Sequence, residues 1–325
     1  MPRALIFGSG QIGQACAAAL APAGWQVDML NRGSVIGGVK FDRHDPAALA
    51  AALGAGADLV IDTIGYDRAD ADLLVPLASG IGQLITVSSV SVYADAAGRS
   101  LDEARVTGFP EFDTAISEAQ ATVPPGDDSY STRKVAMEQR LLDGMACPVA
   151  VLRPCAIYGI GSRHPREWWF VKRLLDGRSS VPLAYRGESR FHNTSATSIG
   201  ALAALLAPSK RTGIFNIADP TAPSVAEIGG IVAGIMGRSP TFALWDGPPK
   251  HHVGQSPWCV PRPFVIACEA AKAAGYLPTA DYAETVAPTI AWLVATAGQG
   301  DWRPRFPVMA GYDFDPFDYA SEDAA

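Results

Sequence analysis

Short apolar runs recur through the first half of the chain, and each is followed by a stretch whose apolar positions return every three or four residues. The first pattern suits strands covered on both faces, and the second suits the helices that cover them. The runs predict strands at Ala4 to Phe7, Gln26 to Leu30, Gly38 to Phe41, Leu59 to Thr63, Gln83 to Ser88 and Pro148 to Leu152. Helical spacing predicts helices at Ile12 to Ala23, Pro46 to Leu53, Asp70 to Ala78 and Tyr130 to Met145. Strand and helix alternate, so the expected fold class is α/β, a doubly wound parallel sheet joined mostly by right-handed crossovers.

After Arg153 the pattern loosens. Helices are expected at Glu167 to Leu175, Ile199 to Leu206, Val225 to Met236 and Tyr282 to Thr296, and Gly213 to Ile217 is a candidate strand for return to the sheet. Prolines crowd the chain from Pro220 to Pro263, marking turns and a less regular region. The expected division is a sheet domain of residues 1–158 plus about 190–220, interleaved with a smaller domain of about 159–189 plus 221–325. Trp302, Phe306, Tyr312, Phe314, Phe317 and Tyr319 are too many aromatics for a solvated linker, so the tail should lie against the body.

Composition narrows the classes. With 325 residues, 48% hydrophobic and 18% charged, the chain can bury a sizeable core. Its formal charge of −7 has the wrong sign for a protein whose affinity comes from neutralising phosphates, which sets aside nucleic acid and anionic membranes. Cys16, Cys147, Cys155, Cys259 and Cys268 show neither a disulfide framework nor a zinc spacing, which fits a reducing cytoplasm. The apolar run of the N-terminus is far shorter than a signal core or a membrane span, so a soluble, cytoplasmic protein is expected. His164, His192 and His251-His252 match no metal-ligand spacing, and no metal site is expected.

Candidate chemistry clusters at strand ends. Gly8-Ser9-Gly10-Gln11-Ile12-Gly13 follows the first strand and opens a helix, the context in which Gly-x-Gly-x-x-Gly signals a dinucleotide site. Gly8 allows the sharp turn, Gly10 lets backbone approach a pyrophosphate, Gly13 lets helix pack on strand, and Gln11 and Ile12 lie within the turn. The second strand ends in Asn31-Arg32 without an acid, which favours the 2′-phosphate of NADP over the 2′-hydroxyl of NAD. Asp42-Arg43 ends the third strand, placed either to touch the adenine or, for the aspartate, to cap the next helix. Arg32, Arg43 and Lys134 are the cations expected to face the anionic cofactor. Tyr130 and Lys134 stand four apart on one helical face, where a cation favours phenolate. Ser88-Ser89 closes the fifth strand at the carboxyl edge, where a hydroxyl can steady charge developing on a substrate oxygen.

These residues, with Val87 to Tyr93, Leu152-Arg153-Pro154-Cys155-Ala156-Ile157-Tyr158-Gly159 and Gly213 to Ala218, resemble the extended short-chain dehydrogenase/reductase family, also called NAD-dependent epimerase/dehydratase. The likeness runs from the first residues to about residue 235. It implies Ser89 as the catalytic hydroxyl, Tyr130 as general acid/base, and Lys134 holding the nicotinamide ribose while lowering the Tyr130 pKa. It also implies Thr63, Ile64, Gly65, Pro154 and Cys155 beside the cofactor, hydride exchange with a substrate carbonyl carbon, and a homodimer.

The departures bear on the substrate. Ser89-Val90-Ser91 stands where dehydratases of the family carry Thr-Asp-Glu, Ala156 where many nucleotide-sugar members carry Asn, and Arg190-Phe191-His192-Asn193 is an eroded form of another family stretch. The resemblance with these departures implies an NADP(H)-dependent reductase of a small carbonyl compound. A nucleotide-sugar epimerase with retained cofactor is the alternative, and a non-catalytic NADP-binding regulator is the second alternative. Trp168, Trp169 and Arg190 are open candidates for a substrate pocket.

Overall fold

A computed structural model of the chain describes residues 1–33, 39–278, 280–298 and 300–324. Seven strands form one parallel sheet: β1 (Arg3–Phe7), β2 (Gln26–Asn31), β3 (Val39–Lys40), β4 (Leu59–Asp62), β5 (Leu84–Val87), β6 (Val149–Pro154) and β10 (Gly213–Ile217). Between the last two come β7 (Ala156–Tyr158), β8 (Ser180–Leu183) and β9 (Asn193–Ser195), and β11 (Thr241–Leu244) follows. The sheet order is β10-β6-β5-β4-β1-β2-β3. The order reverses at β1, so the crevice between β1 and β4 opens at their carboxyl ends, where ligands of such sheets gather. The predicted six strands are all present, and Gly213–Ile217 returns to pair with β6. Gly38, the predicted start of the third strand, lies outside the described residues.

Alternation along the strands builds two cores. Ala4 and Ile6 of β1, Leu59 and Ile61 of β4, and Ala150 and Leu152 of β6 face α1 (Gln11–Leu20) and α7 (Ala196–Leu206). Leu5, Phe7, Val60, Val149 and Val151 point to the opposite face, under α2 (Pro46–Leu53), α3 (Arg68–Leu74) and α5 (Tyr130–Gly144). A period of two therefore serves two cores because both faces are covered. Gly200 of α7 sits so near α1 that a Cβ there would overlap the Ala15 carbonyl, which fixes how closely the two helices pack. The short α4 (Ala104–Thr107) lies between β5 and α5 in sequence.

A third core belongs to the second lobe. It gathers α6 (Trp168–Leu175), α8 (Val225–Ile235), α10 (Tyr282–Thr285), α11 (Ala287–Ala297) and the parallel pair β8 and β11; the short α9 (Glu269–Ala273) packs against the first core instead. Trp168 and Trp169 are each 1% exposed in this core, so neither lines an open pocket. The tail adds Trp302, Phe306, Met309 and Phe317 to it, together with α12 (Pro307–Ala310), before α13 (Tyr319–Asp323) ends the described chain. β7 and β9 pair with each other and lie between the sheet and this lobe in sequence.

Candidate active site

The crevice begins with the turn after β1. Gly8 has φ +97°, a left-handed value that glycine adopts freely, and its N–H donates to the Leu30 carbonyl at 2.9 Å. A Cβ at Gly13 would overlap the Gly8 carbonyl, so that position must be glycine for α1 to start here. Gly10 is the N-cap of α1 and brings no side chain to its first turn, which leaves those N–H groups directed at the crevice.

Three buried polar atoms at the strand ends have no partner among the described residues: Gln11 Nε2 in the turn, Asn31 Nδ2 at the end of β2, and Ser88 Oγ after β5. Leaving a buried donor or acceptor unmade costs about 1–3 kcal/mol, and these three line one crevice, where a ligand could supply the missing partners. Arg32 follows Asn31 and is exposed.

Arg43 departs from the expectation of a cation turned to the cofactor. Its guanidinium grips the Asp62 carboxylate at both ends, 3.0 Å each, and its Nε lies 2.9 Å from Asp70. At 7% exposure its charge is used inside the protein. Asp62 in turn accepts the N–H groups of Ile64 at 3.0 Å and Gly65 at 2.8 Å, so the pair shapes the Thr63–Gly65 turn that edges the crevice. Thr63 closes the turn on β1 by donating from its hydroxyl to the Phe7 carbonyl at 2.8 Å. Asp42 is exposed and accepts the His44 N–H, while Asp45 is the residue that caps α2.

Ser129 and Thr132 form a reciprocal capping box that starts α5 at Tyr130. One turn on, Lys134 Nζ donates to the Gly65 carbonyl at 2.5 Å and the Val87 carbonyl at 3.1 Å. It ties the ends of β4 and β5 together and keeps one of its three N–H donors for another partner. Burial brings the Lys134 ammonium down to about 8. Tyr130 is 40% exposed and its ring centroid lies 5.7 Å from Lys134 Nζ. Burial of its hydroxyl pushes it up to about 12, with Ser89 beside it acting downward. Ser89 accepts the Ser91 N–H at 3.1 Å, which turns the chain after β5.

Around this trio the structure places partners that the sequence did not single out. Glu138 of α5 and Arg153 of β6 form a buried ion pair, and the guanidinium lies 4.9 Å from the Tyr93 ring centroid. The Tyr93 hydroxyl donates to Asn216 Oδ1 of β10 at 2.7 Å. Asp102 accepts the Ser131 N–H at 2.7 Å beside Tyr130. The only sequence signals were acids and bases inside apolar elements, Asp62 ending Leu-Val-Ile-Asp and Glu138 one turn past Lys134; a buried charge needs a partner, but spacing does not name it.

Cys155 is buried after β6, its thiol pushed up to about 12 by burial, and its N–H donates to Thr194 Oγ1 at 2.9 Å. Pro154 ends β6 in register with Ile217. Arg190 donates to the Ala222 carbonyl and to Glu227, so it is engaged within the second lobe. All five cysteines are free. Among the described residues no helix is long and apolar enough to cross a membrane.

No family model matches the sequence, and no curated protein matches it. Solved structures do match, over about nine-tenths of the chain. The dTDP-glucose 4,6-dehydratase of Bacillus anthracis in complex with NAD superposes with a TM-score of 0.68 at 15% identity, covering 92% of this chain and 98% of that one. The fold is that of nucleotide-sugar epimerases and dehydratases. The UDP-glucose 4-epimerase of Thermus thermophilus with NAD shares it with a TM-score of 0.66, at 18% identity and with 91% and 100% coverage. The UDP-glucose 4-epimerase of Thermotoga maritima with UDP-glucose gives 0.67, at 16% identity and with 90% and 99% coverage. At these identities the epimerase/dehydratase fold is what the chain has in common with them.

Proposed function

We propose that this chain is a nicotinamide-dinucleotide-dependent enzyme of the extended short-chain dehydrogenase/reductase class, acting at an oxygen-bearing carbon. The observation that carries the reading is the convergence of Ser89, Tyr130 and Lys134 at the carboxyl edge of the sheet that also presents the Gly8–Gly13 turn. The unpartnered Gln11, Asn31 and Ser88 atoms and the uncapped start of α1 fit a dinucleotide. The Gly8–Gly13 turn would receive its pyrophosphate, Asn31, Arg32 and Asp42 its adenosine end, Thr63 to Gly65 its middle, and Lys134 with Pro154 and Cys155 its nicotinamide end. Such a cofactor supplies hydride exchange with the substrate carbon.

The chain's own part is the proton. Tyr130 gives or takes the proton on the substrate oxygen, Ser89 hydrogen-bonds the same oxygen, and the free N–H of Lys134 holds a sugar hydroxyl while its charge favours phenolate. Asn31-Arg32 favours NADP; the neighbours with bound cofactor hold NAD, which supports the dinucleotide without the preference.

Two net reactions use this machinery. The epimerases among the neighbours favour oxidation and re-reduction of a nucleotide-linked sugar with the cofactor retained, and this reading comes first. Net reduction of a smaller carbonyl compound is favoured by Ala156 in place of Asn and by Arg190 held on Glu227. Protein purified without added cofactor decides between them. An epimerase carries tightly bound dinucleotide and interconverts UDP-sugars unaided, whereas a reductase consumes added NADPH or NADH. In either case Tyr130→Phe should cut turnover by about 10²- to 10⁴-fold while dinucleotide binding by fluorescence titration persists. Undiminished turnover in that variant would overturn the assignment.

A further inference from the structure

The last stretch of the chain is pinned on both sides of a short bridge. Upstream, Trp302, Phe306 and Met309 are buried in the second-lobe core. Downstream, Phe317 joins the same core, and Glu322 pairs with the buried Arg173, whose guanidinium lies 3.6 Å from the Trp169 ring centroid. Between these anchors three consecutive side chains each reach a different distant element. The Tyr312 hydroxyl hydrogen-bonds His164 Nε2 at 2.5 Å. Asp313 accepts from both ends of Arg105, at 2.7 and 3.4 Å. Phe314 stacks on His252 with ring centroids 4.4 Å apart and planes 3° from parallel.

These partners lead back to the catalytic helix. Arg105 is on α4, three residues past Asp102, whose carboxylate holds the Ser131 N–H and whose charge acts on Tyr130. His164 is on the loop that leaves β7, the continuation of Pro154-Cys155. The bridge thus runs from the Asp102–Arg105 segment to the loop after β7.

We infer that Tyr312–Phe314 is a specificity-determining wall of the substrate entrance, latched by the Arg105–Asp313 pair. The inference rests on the reading of Tyr130, Ser89 and Lys134 as the active site. The latch is the weak contact of the three. Its side chains are 79% and 58% exposed, so water and salt screen the pair and it opens at little cost. The anchors on either side limit how far the bridge moves. Burial brings His164 down to about 3, so its hydrogen bond to Tyr312 is between neutral groups at physiological pH. A small carbonyl compound passes beneath a closed bridge, whereas a nucleotide-linked substrate must displace Asp313 from Arg105.

Full-length wild type, Arg105→Ala, Asp313→Ala and the charge-reversed double variant R105D/D313R are compared by amide hydrogen exchange and by acrylamide quenching of bound NADH or NADPH fluorescence. Each single variant should speed exchange in residues 101–108 and 310–316, and raise the quenching constant, by about two- to fivefold, the range open to an exposed ion pair. The double variant should return both to near the wild-type values. Unchanged exchange in the single variants overturns the latch, and altered exchange with unchanged quenching overturns the wall. Failure of the wild type to bind either dinucleotide would instead overturn the active-site reading and the wall with it, while the exchange result still decides the latch.

Discussion

Glu167 lies next to Trp168, 1% exposed, with one carboxylate oxygen accepting from the Tyr282 hydroxyl at 3.3 Å and the other without a partner among the described residues. Burial pushes it up to about 7. Asp219, which accepts from the Tyr158 hydroxyl at 2.8 Å and the Ser195 N–H at 3.0 Å, is likewise pushed up to about 7 by burial. Both acids bind protons more tightly in the folded protein than in the unfolded chain. Their contribution is therefore fully present below the unfolded carboxylate range and is lost as pH rises through about 7. Glu167→Gln keeps the shape and removes the titration. Thermal melts between pH 4.5 and 7.5 should show a flatter fall in stability for the variant, relieved by on the order of 3 kcal/mol at the upper end. A wild-type slope left intact in Glu167→Gln would assign the fall to other groups. At this scale the sequence displayed residue types and left protonation undecided, because burial by distant residues sets the charge.

At the scale of elements, Arg43 shows how a strand end can mislead. It follows β3, where a cofactor-facing cation was expected, and instead joins the end of β3 to the end of β4 and to α3 through Asp62 and Asp70. Arg43→Met would leave two buried carboxylates uncompensated, and urea unfolding should show a loss of about 3–5 kcal/mol. Arg43→Met combined with Asp62→Asn and Asp70→Asn should recover a substantial part, since the penalty lies in the unpaired charges. A single variant as stable as wild type would show that the triad does not stabilise the turn. The elements themselves were largely legible. The six predicted sheet strands coincide with observed strands to within a residue or two, and Pro46–Leu53 is reproduced outright. The helix expected at Asp70 to Ala78 instead runs Arg68–Leu74, and 3₁₀ turns carry it to Gly80. Pro76 accounts for the change, because its ring removes the N–H that the next α-helical bond would use.

For the whole molecule, the tail behaves as part of the second core. Trp302 and Phe306 are 4% and 1% exposed, and Phe306 meets Trp168 at a ring-centroid distance of 5.4 Å. A chain ending after residue 300 would uncover this aromatic face and leave Arg173 without its Glu322 partner. Such a truncation should lower the melting temperature by several degrees and bind a hydrophobic dye that the full chain does not, with about 2 kcal/mol or more lost for each large aromatic uncovered. A truncated chain with the full-length melting curve would mean that the tail covers nothing essential. We propose the interleaved division of residues 1–158 plus about 190–220 against the remainder as the working domain assignment, since the third core draws on α6, α8, α11 and the tail together.

By itself the sequence determined the alternation of strand and helix, the glycine turn, and the helical face shared by Tyr130 and Lys134. These depend on periods of two and 3.6 residues and on the backbone freedom of glycine, all properties of neighbours in the chain. Only the tertiary structure decided that Arg43 is held by Asp62 and Asp70, and that Tyr312 to Phe314 bridges Arg105, His164 and His252. Each of those outcomes is set by charge, burial or contact between residues tens to hundreds of positions apart, and local spacing carries no information about such pairs.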